Sequence, residues 1–195
     1  MGSLLSSTRN TRFLPNVGEK YIRSDVPEHI TEPEIQWLLQ NDVRTILDLR
    51  TPEEAMQKPC PLAGHAAFTY YNRPVTGGNA VPAAPGAVAL SYLAMVDDAL
   101  WQTIRLAESA KTKVLYFCNA GKDRTGVVSA LLLTRMHVER AVIVQDYLAS
   151  AQNLAELLQA DVQQNPGIDP AVITPHAAYM EAFLDAISEK GCVFP

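Results

Sequence analysis

The sequence has few cysteines and no histidine cluster, and both shortages narrow its chemistry. Three cysteines, Cys60, Cys118 and Cys192, stand far apart and odd in number, which supports neither a disulfide framework nor a zinc site. His29, His65, His137 and His176 are scattered without ligand spacing, so no bound metal and no cofactor are expected. Apolar runs such as Val127 to Leu133 are too short to cross a bilayer, and Met1 to Thr11 lacks the apolar core of a secretory signal. Met1 to Ser6 formally matches an N-myristoylation pattern but is read as an ordinary start. Basic residues are in deficit, with 16 Lys and Arg against 21 Asp and Glu, and no basic stripe is interleaved with aromatics. Nucleic acid is therefore not an expected partner. What remains is a chain of 195 residues, 48% hydrophobic with net charge −5, sized for a single globular enzyme unit over 10–190 behind a disordered lead-in of 1–9. An exposed reactive thiol would need a reducing compartment, which gives a cytoplasmic expectation.

Residues 118–126 read CNAGKDRTG, between the apolar runs Val114 to Phe117 and Val127 to Leu133. The pattern is strand, tight loop, helix. Such a loop gathers successive backbone N–H groups at a helix N-terminus, a geometry that holds an oxyanion of phosphate size. Asn119, Ala120, Gly121, Lys122, Thr125 and Gly126 are the expected phosphate-binding residues. Cys118 at the base is the expected nucleophile, since dipoles and a nearby guanidinium favour a thiolate. Arg124 offers a planar fork that can clamp two phosphoryl oxygens, which lysine does poorly. Gly121 and Gly126 permit close backbone approach or positive φ. Thr125 can set a hydroxyl beside the sulfur and help the thiol leave. A nucleotide-binding Walker loop is excluded, because Gly121-Lys122 is followed by Asp123 rather than Ser or Thr.

The string resembles the signature of the cysteine-dependent protein tyrosine phosphatase superfamily, and its AGKDRTG wording is similar to bacterial tyrosine and lipid phosphatases and atypical dual-specificity members. Tyr21-Ile22-Arg23-Ser24, Thr45 to Arg50 with Glu53 or Glu54, and Asp146-Tyr147 resemble further segments of those enzymes, so the likeness covers about residues 10–187. It implies a metal-independent phosphomonoester hydrolase acting on a phosphorylated protein or a phosphoinositide. There are two departures. Relatives commonly carry His before the nucleophile, where this chain has Phe117, and many use a lid aspartate roughly thirty residues ahead of the cysteine that is missing here. Between Asp48 and Cys118 the acids are Glu53, Glu54, Asp97 and Asp98, the last two in a helical pattern. The proton donor is therefore sought elsewhere. Asp123, beside the rim of the loop, is the first choice, and Asp48, at a strand end, the second. Asp48 could equally pair with Arg50 and serve structure alone. Lys122 adds charge that would steer anions to the loop.

Periodicity predicts strands over Tyr21 to Arg23, Val43 to Leu49 and Ala67 to Tyr71, and a helix over Glu32 to Gln40 with Thr31 as N-cap. Asn72 to Ala87, rich in Gly and Pro, is irregular and reads as a lid. One long helix is expected over Val88 to Ser109, with Trp101 in the core. Later helices are expected over Glu139 to Ser150, Leu154 to Asp161 and Thr174 to Ser188, with a break at Asn165-Pro166-Gly167. These elements give an α/β fold with a small central, largely parallel sheet flanked by helices on both faces. Two other readings stay open: a phosphate-binding module without turnover, and a rhodanese-like sulfurtransferase, whose commoner loop is one residue shorter.

Overall fold

The computed structural model describes residues 3–78 and 81–189. Gly2 and Cys192 lie outside them, as do two positions of the Gly- and Pro-rich segment.

Five strands form one sheet: β1 (Arg12–Phe13), β2 (Tyr21–Ser24), β3 (Val43–Asp48), β4 (Thr69–Asn72) and β5 (Lys113–Phe117), in the spatial order β1-β2-β5-β3-β4. The β1–β2 pair is antiparallel and all the others are parallel, as expected of strands joined by helical crossovers. Alternation along β5 divides the core. Val114 and Tyr116 face one cluster with Tyr21, Leu47 and Val127, while Leu115 and Phe117 face another with Ile22, Ile46 and Leu38. The first face is covered by α3 (Val88–Ala94), α4 (Asp98–Ser109), α5 (Asp123–Arg135), α6 (Arg140–Asn153) and α9 (Ala177–Glu189). The second is covered by α1 (Glu32–Gln40) and the short 3-10 turn Pro61–Gly64. Helices on both faces of a mostly parallel sheet are what the sequence predicts.

Four features differ from the sequence reading. Residues 3–9, expected to be disordered, are packed: Leu5 is buried in the second cluster, and the Ser7 amide and Ser6 hydroxyl donate to Glu34 at 2.8 and 3.0 Å. The expected long helix is split in two, because the Asp97 carboxylate accepts from the Leu100 amide at 2.8 Å and caps α4 as a fresh start. Trp101 is buried, as expected of a core residue. Two short helices add to the expected elements, α2 (Pro52–Gln57) and α8 (Pro170–Ile173), each opened by a capping residue followed by proline. Finally, α7 (Ala155–Gln164) and α8 fold back toward the carboxyl ends of the strands instead of covering the sheet.

Register puts the functional end in one place. Phe117 lies opposite Ser24 on β2 and opposite Asp48 on β3, so three parallel strands finish level and Cys118 emerges just beyond them. In open α/β sheets that is where ligands bind.

Candidate active site

Cys118 is 3% exposed, at the floor of a cleft of about 270 Å³. The loop after it is held from outside by its carbonyls. The Asn119 carbonyl accepts from the Val26 amide at 3.1 Å, and the Gly121 carbonyl accepts from Asn10 Nδ2 at 2.9 Å and from the Arg23 guanidinium at 2.8 Å. Across a trans peptide the N–H points opposite to the C=O, so carbonyls drawn outward turn the amides of Ala120 and Lys122 toward the concavity. Gly121 has φ of +65°, and a Cβ there would come within 2.4 Å of the Ser24 carbonyl oxygen; the loop lies directly against β2.

A buried ion network supports this underside. Arg23 and Arg12 both pair with Asp146, at 2.5 and 2.8 Å, and Asn10 also reaches Ser150 at 3.1 Å. Burial pushes the Asp146 carboxyl up, but the two guanidiniums prevail and hold it below its ordinary range. The Tyr21-Ile22-Arg23-Ser24 and Asp146-Tyr147 segments of the sequence are thus two halves of one support.

Arg124 sits in the first turn of α5, where the helix N-terminus adds its own positive field. Its NH1 and NH2 donate to Glu54 Oε2 and Oε1 at 2.6 and 2.8 Å, and Asn119 Nδ2 donates to the same carboxylate at 2.7 Å. This end-on pairing leaves the side edge of the guanidinium, with its Nε–H, for a ligand. Burial pulls the Arg124 guanidinium down, yet the Glu54 hydrogen bonds and the Cys118 sulfur outweigh that and keep it firmly charged. Between Glu53 and Glu54 the sequence could not choose. The structure selects Glu54, fixed by a capping box in which it accepts from the Thr51 amide at 2.9 Å. The Thr-Pro-Glu-Glu string at 51–54 carries that signature and could have located both α2 and this residue.

Thr125 is fully buried and its hydroxyl donates to Cys118 Sγ at 3.2 Å. Asp123 lines the cleft at the N-terminus of α5; its Oδ1 accepts from the Tyr92 hydroxyl at 2.7 Å, and its Oδ2 is 3.4 Å from Lys122 Nζ. Tyr92, within the stretch over Val88 to Ser109 expected to be helical, is therefore part of the site. No periodicity could reveal it, since its ring is core and only its hydroxyl reaches the cleft.

Three of the expected site residues have other engagements in the structure. Asp48 does not reach the cleft: its carboxylate is fully buried and accepts from Arg50 Nε and NH2 at 2.9 and 2.7 Å and from the Tyr70 hydroxyl at 2.6 Å. A carboxylate so deeply committed has neither access nor spare oxygen for proton transfer. Gly126 is not among the residues lining the cleft; it lies within α5, where a Cβ would stand 3.3 Å from the Tyr147 ring. Lys122 lines the cleft, but it is 7% exposed and its ammonium is bonded to the Ile173 carbonyl at the end of α8, so it anchors that helix rather than offering a free charge. Phe117, at the position of the usual histidine, is wholly buried with the Arg50 guanidinium 5.3 Å from its ring centre. Asp161 of α7 also borders the cleft, and nothing in the sequence pointed to it.

The cleft walls come from segments distant in sequence. Val81 and Pro82 belong to the Gly- and Pro-rich connection, Val88 to α3, Leu157 and Leu158 to α7, and Val172 to α8. Gly77 and Gly78 let that connection press against the end of α3, where a Cβ would come within 2.1 Å of the Ala94 oxygen and 2.0 Å of the Met95 side chain. Among the described residues, no helix is long and apolar enough to cross a membrane.

The model of the tyrosine phosphatase family matches residues 17–192. A tyrosine-protein phosphatase of Nostoc commune is 30% identical over 146 residues, covering 70% of this chain and 50% of its own length, so this chain spans about half of that relative. The triple specificity protein phosphatase PtpB of Mycobacterium tuberculosis is 49% identical over 49 residues, 25% of this chain and 18% of that one. The solved catalytic core of Siw14 aligns over 98% of this chain and 96% of its own with a TM-score of 0.50 at 16% identity, which speaks to the fold. With the family model spanning nearly the whole sequence, the chain belongs to the tyrosine phosphatase family.

Proposed function

We propose that the chain is a phosphomonoester phosphatase that works through a cysteinyl-phosphate intermediate, needs no metal, and takes aryl phosphates of the phosphotyrosine kind. The observation that carries this reading is the placement of Cys118 at the floor of a cleft beside the held guanidinium of Arg124, on a loop whose carbonyls are bonded from outside. In the first step the Cys118 thiolate attacks phosphorus, the P–O bond breaks, and the departing oxygen takes a proton from the Asp123 carboxyl. In the second, the Asp123 carboxylate removes a proton from water, the oxygen of that water attacks phosphorus, and the P–S bond breaks to release phosphate. Arg124 and the amides stabilise the charge on the equatorial oxygens in both steps. The Thr125 hydroxyl, already directed at sulfur, eases departure of the thiolate in the second.

Charge and polarity of the walls support the substrate class. The two cations lining the cleft, Lys122 and Arg124, each face a carboxylate, Asp123 and Glu54, and Asp161 adds a further negative charge. A ligand with several phosphates would bring its second dianion against Asp161 or an apolar wall, an uncompensated cost. A phenyl ring instead buries its faces against Val81, Val88 and Leu157.

Phosphate release from phosphotyrosine peptides, phosphothreonine peptides and phosphoinositides, in chelator, tests this directly. Phosphotyrosine peptides turn over fastest, and Cys118→Ser abolishes the reaction. Faster release from phosphoinositides would overturn the substrate class, and vanadate binding without any turnover would favour the phosphate-binding module.

A further inference from the structure

Tyr92 lies outside the loop, yet it is bonded to the residue to which the proposed function gives the proton. It is 2% exposed, and its hydroxyl donates to Asp123 Oδ1 at 2.7 Å while meeting the Tyr147 hydroxyl at 2.8 Å. A phenol has one hydrogen. Tyr92 gives its hydrogen to Asp123, so Tyr147 must donate to Tyr92, and the chain runs in one direction, from Tyr147 through Tyr92 to Asp123. The rings fix this path. Tyr92 packs edge-on against Tyr147 and Phe183, with centroids 6.1 and 6.3 Å apart, and neither phenol can swing away without opening the core. Gly126 explains how Tyr147 fits, since any side chain at that turn of α5 would press on its ring.

We propose that Tyr92, backed by Tyr147, is a positioning residue that fixes the Asp123 carboxyl and assigns its two oxygens different tasks. The inference rests on the reading of Asp123 as the acid. With Oδ1 committed as an acceptor from Tyr92, the proton is carried on Oδ2, the oxygen left for the departing group. Without the Tyr92 bond the carboxyl rotates freely, because the Asp123 side chain is 40% exposed and its other contact is Lys122 at 3.4 Å. Burial, with Asp123 and Tyr147 alongside, holds the Tyr92 phenol well above its ordinary range, so it stays a donor throughout turnover. Tyr92 begins its task from α3, directly after the connection that forms one wall of the cleft, and so couples that wall to the acid.

Leaving-group dependence separates positioning from mere packing. The native protein, Tyr92→Phe, Tyr147→Phe and Asp123→Asn are compared by kcat/KM across aryl phosphates running from p-nitrophenyl phosphate, whose phenolate leaves unaided, to phenyl phosphate, whose oxygen needs a proton. Asp123→Asn should lose about a hundredfold on phenyl phosphate and far less on p-nitrophenyl phosphate. Tyr92→Phe, which keeps the ring, should show the same steepened dependence at about tenfold, Tyr147→Phe a smaller effect of the same kind, and Tyr92→Phe added to Asp123→Asn no further steepening. If Asp123→Asn steepens the dependence and Tyr92→Phe does not, or if Tyr92→Phe lowers every substrate equally, the positioning role is overturned while the acid stands. If Asp123→Asn itself leaves the dependence flat, the failure lies with the acid assignment. Should Tyr92→Phe not fold, Tyr147→Phe carries the same test, and its lack of any leaving-group effect overturns the chain of donors.

Discussion

Glu54 shows how much a single carboxylate can organise. It takes both outer nitrogens of Arg124 and the amide of Asn119, so two residues of the loop are aimed by one side chain that never needs to touch a substrate. Arg124 hydrogen bonds act first to hold its carboxyl below the usual range, with partial burial opposing them. A depressed folded value means the contribution to stability is complete above the unfolded value of about 4.3 and is lost as pH falls through the folded one. The pair is partly exposed, so that contribution is no more than about 1 kcal/mol. Glu54→Gln should therefore melt below the native protein near pH 7, with the gap closing under about pH 4, and its kcat/KM should fall about 10- to 100-fold because the guanidinium is no longer held in line. A melting gap independent of pH would rule out the carboxylate as its source.

Among the elements, β3 ends on a closed ion cluster while β5 ends on an open site, although Asp48 and Phe117 are level with each other. Asp48, Arg50 and Tyr70 satisfy one another away from water, with Asn72 donating to the Arg50 carbonyl at 2.8 Å to tie β4 to the same corner. Removing one partner of a buried pair leaves the other charge unpaired, a loss of about 3–5 kcal/mol. Asp48→Ala should lower the melting temperature strongly while the fraction still folded keeps its kcat/KM for phenyl phosphate. A protein of native stability that had lost turnover would instead return Asp48 to the chemistry.

At the scale of the whole molecule, the sequence carried the sheet and the loop because both are local. Strand periodicity around Val43 and Val114, the Thr31 cap and the CNAGKDRTG string each act within a few residues. What it could not carry is long-range. Asn10 reaching Gly121, Arg23 meeting Asp146, Tyr92 meeting Asp123 and Lys122 binding the Ile173 carbonyl all depend on how distant segments pack. The packed residues 3–9 follow the same rule, since Leu5 must find the second core cluster and Ser6 and Ser7 must find Glu34. Two further features are local and carry their own signals: Thr51-Pro52-Glu53-Glu54 announces a capped helix, and Asp97 announces a new one.

The most direct test of the mechanism is mass analysis of the Cys118 peptide after rapid acid quenching during turnover of a phosphotyrosine peptide. One phosphoryl group should appear on Cys118 in the native protein and should vanish in Cys118→Ser together with activity. Sustained turnover with no adduct on Cys118, surviving in Cys118→Ser, would contradict the thiol mechanism outright.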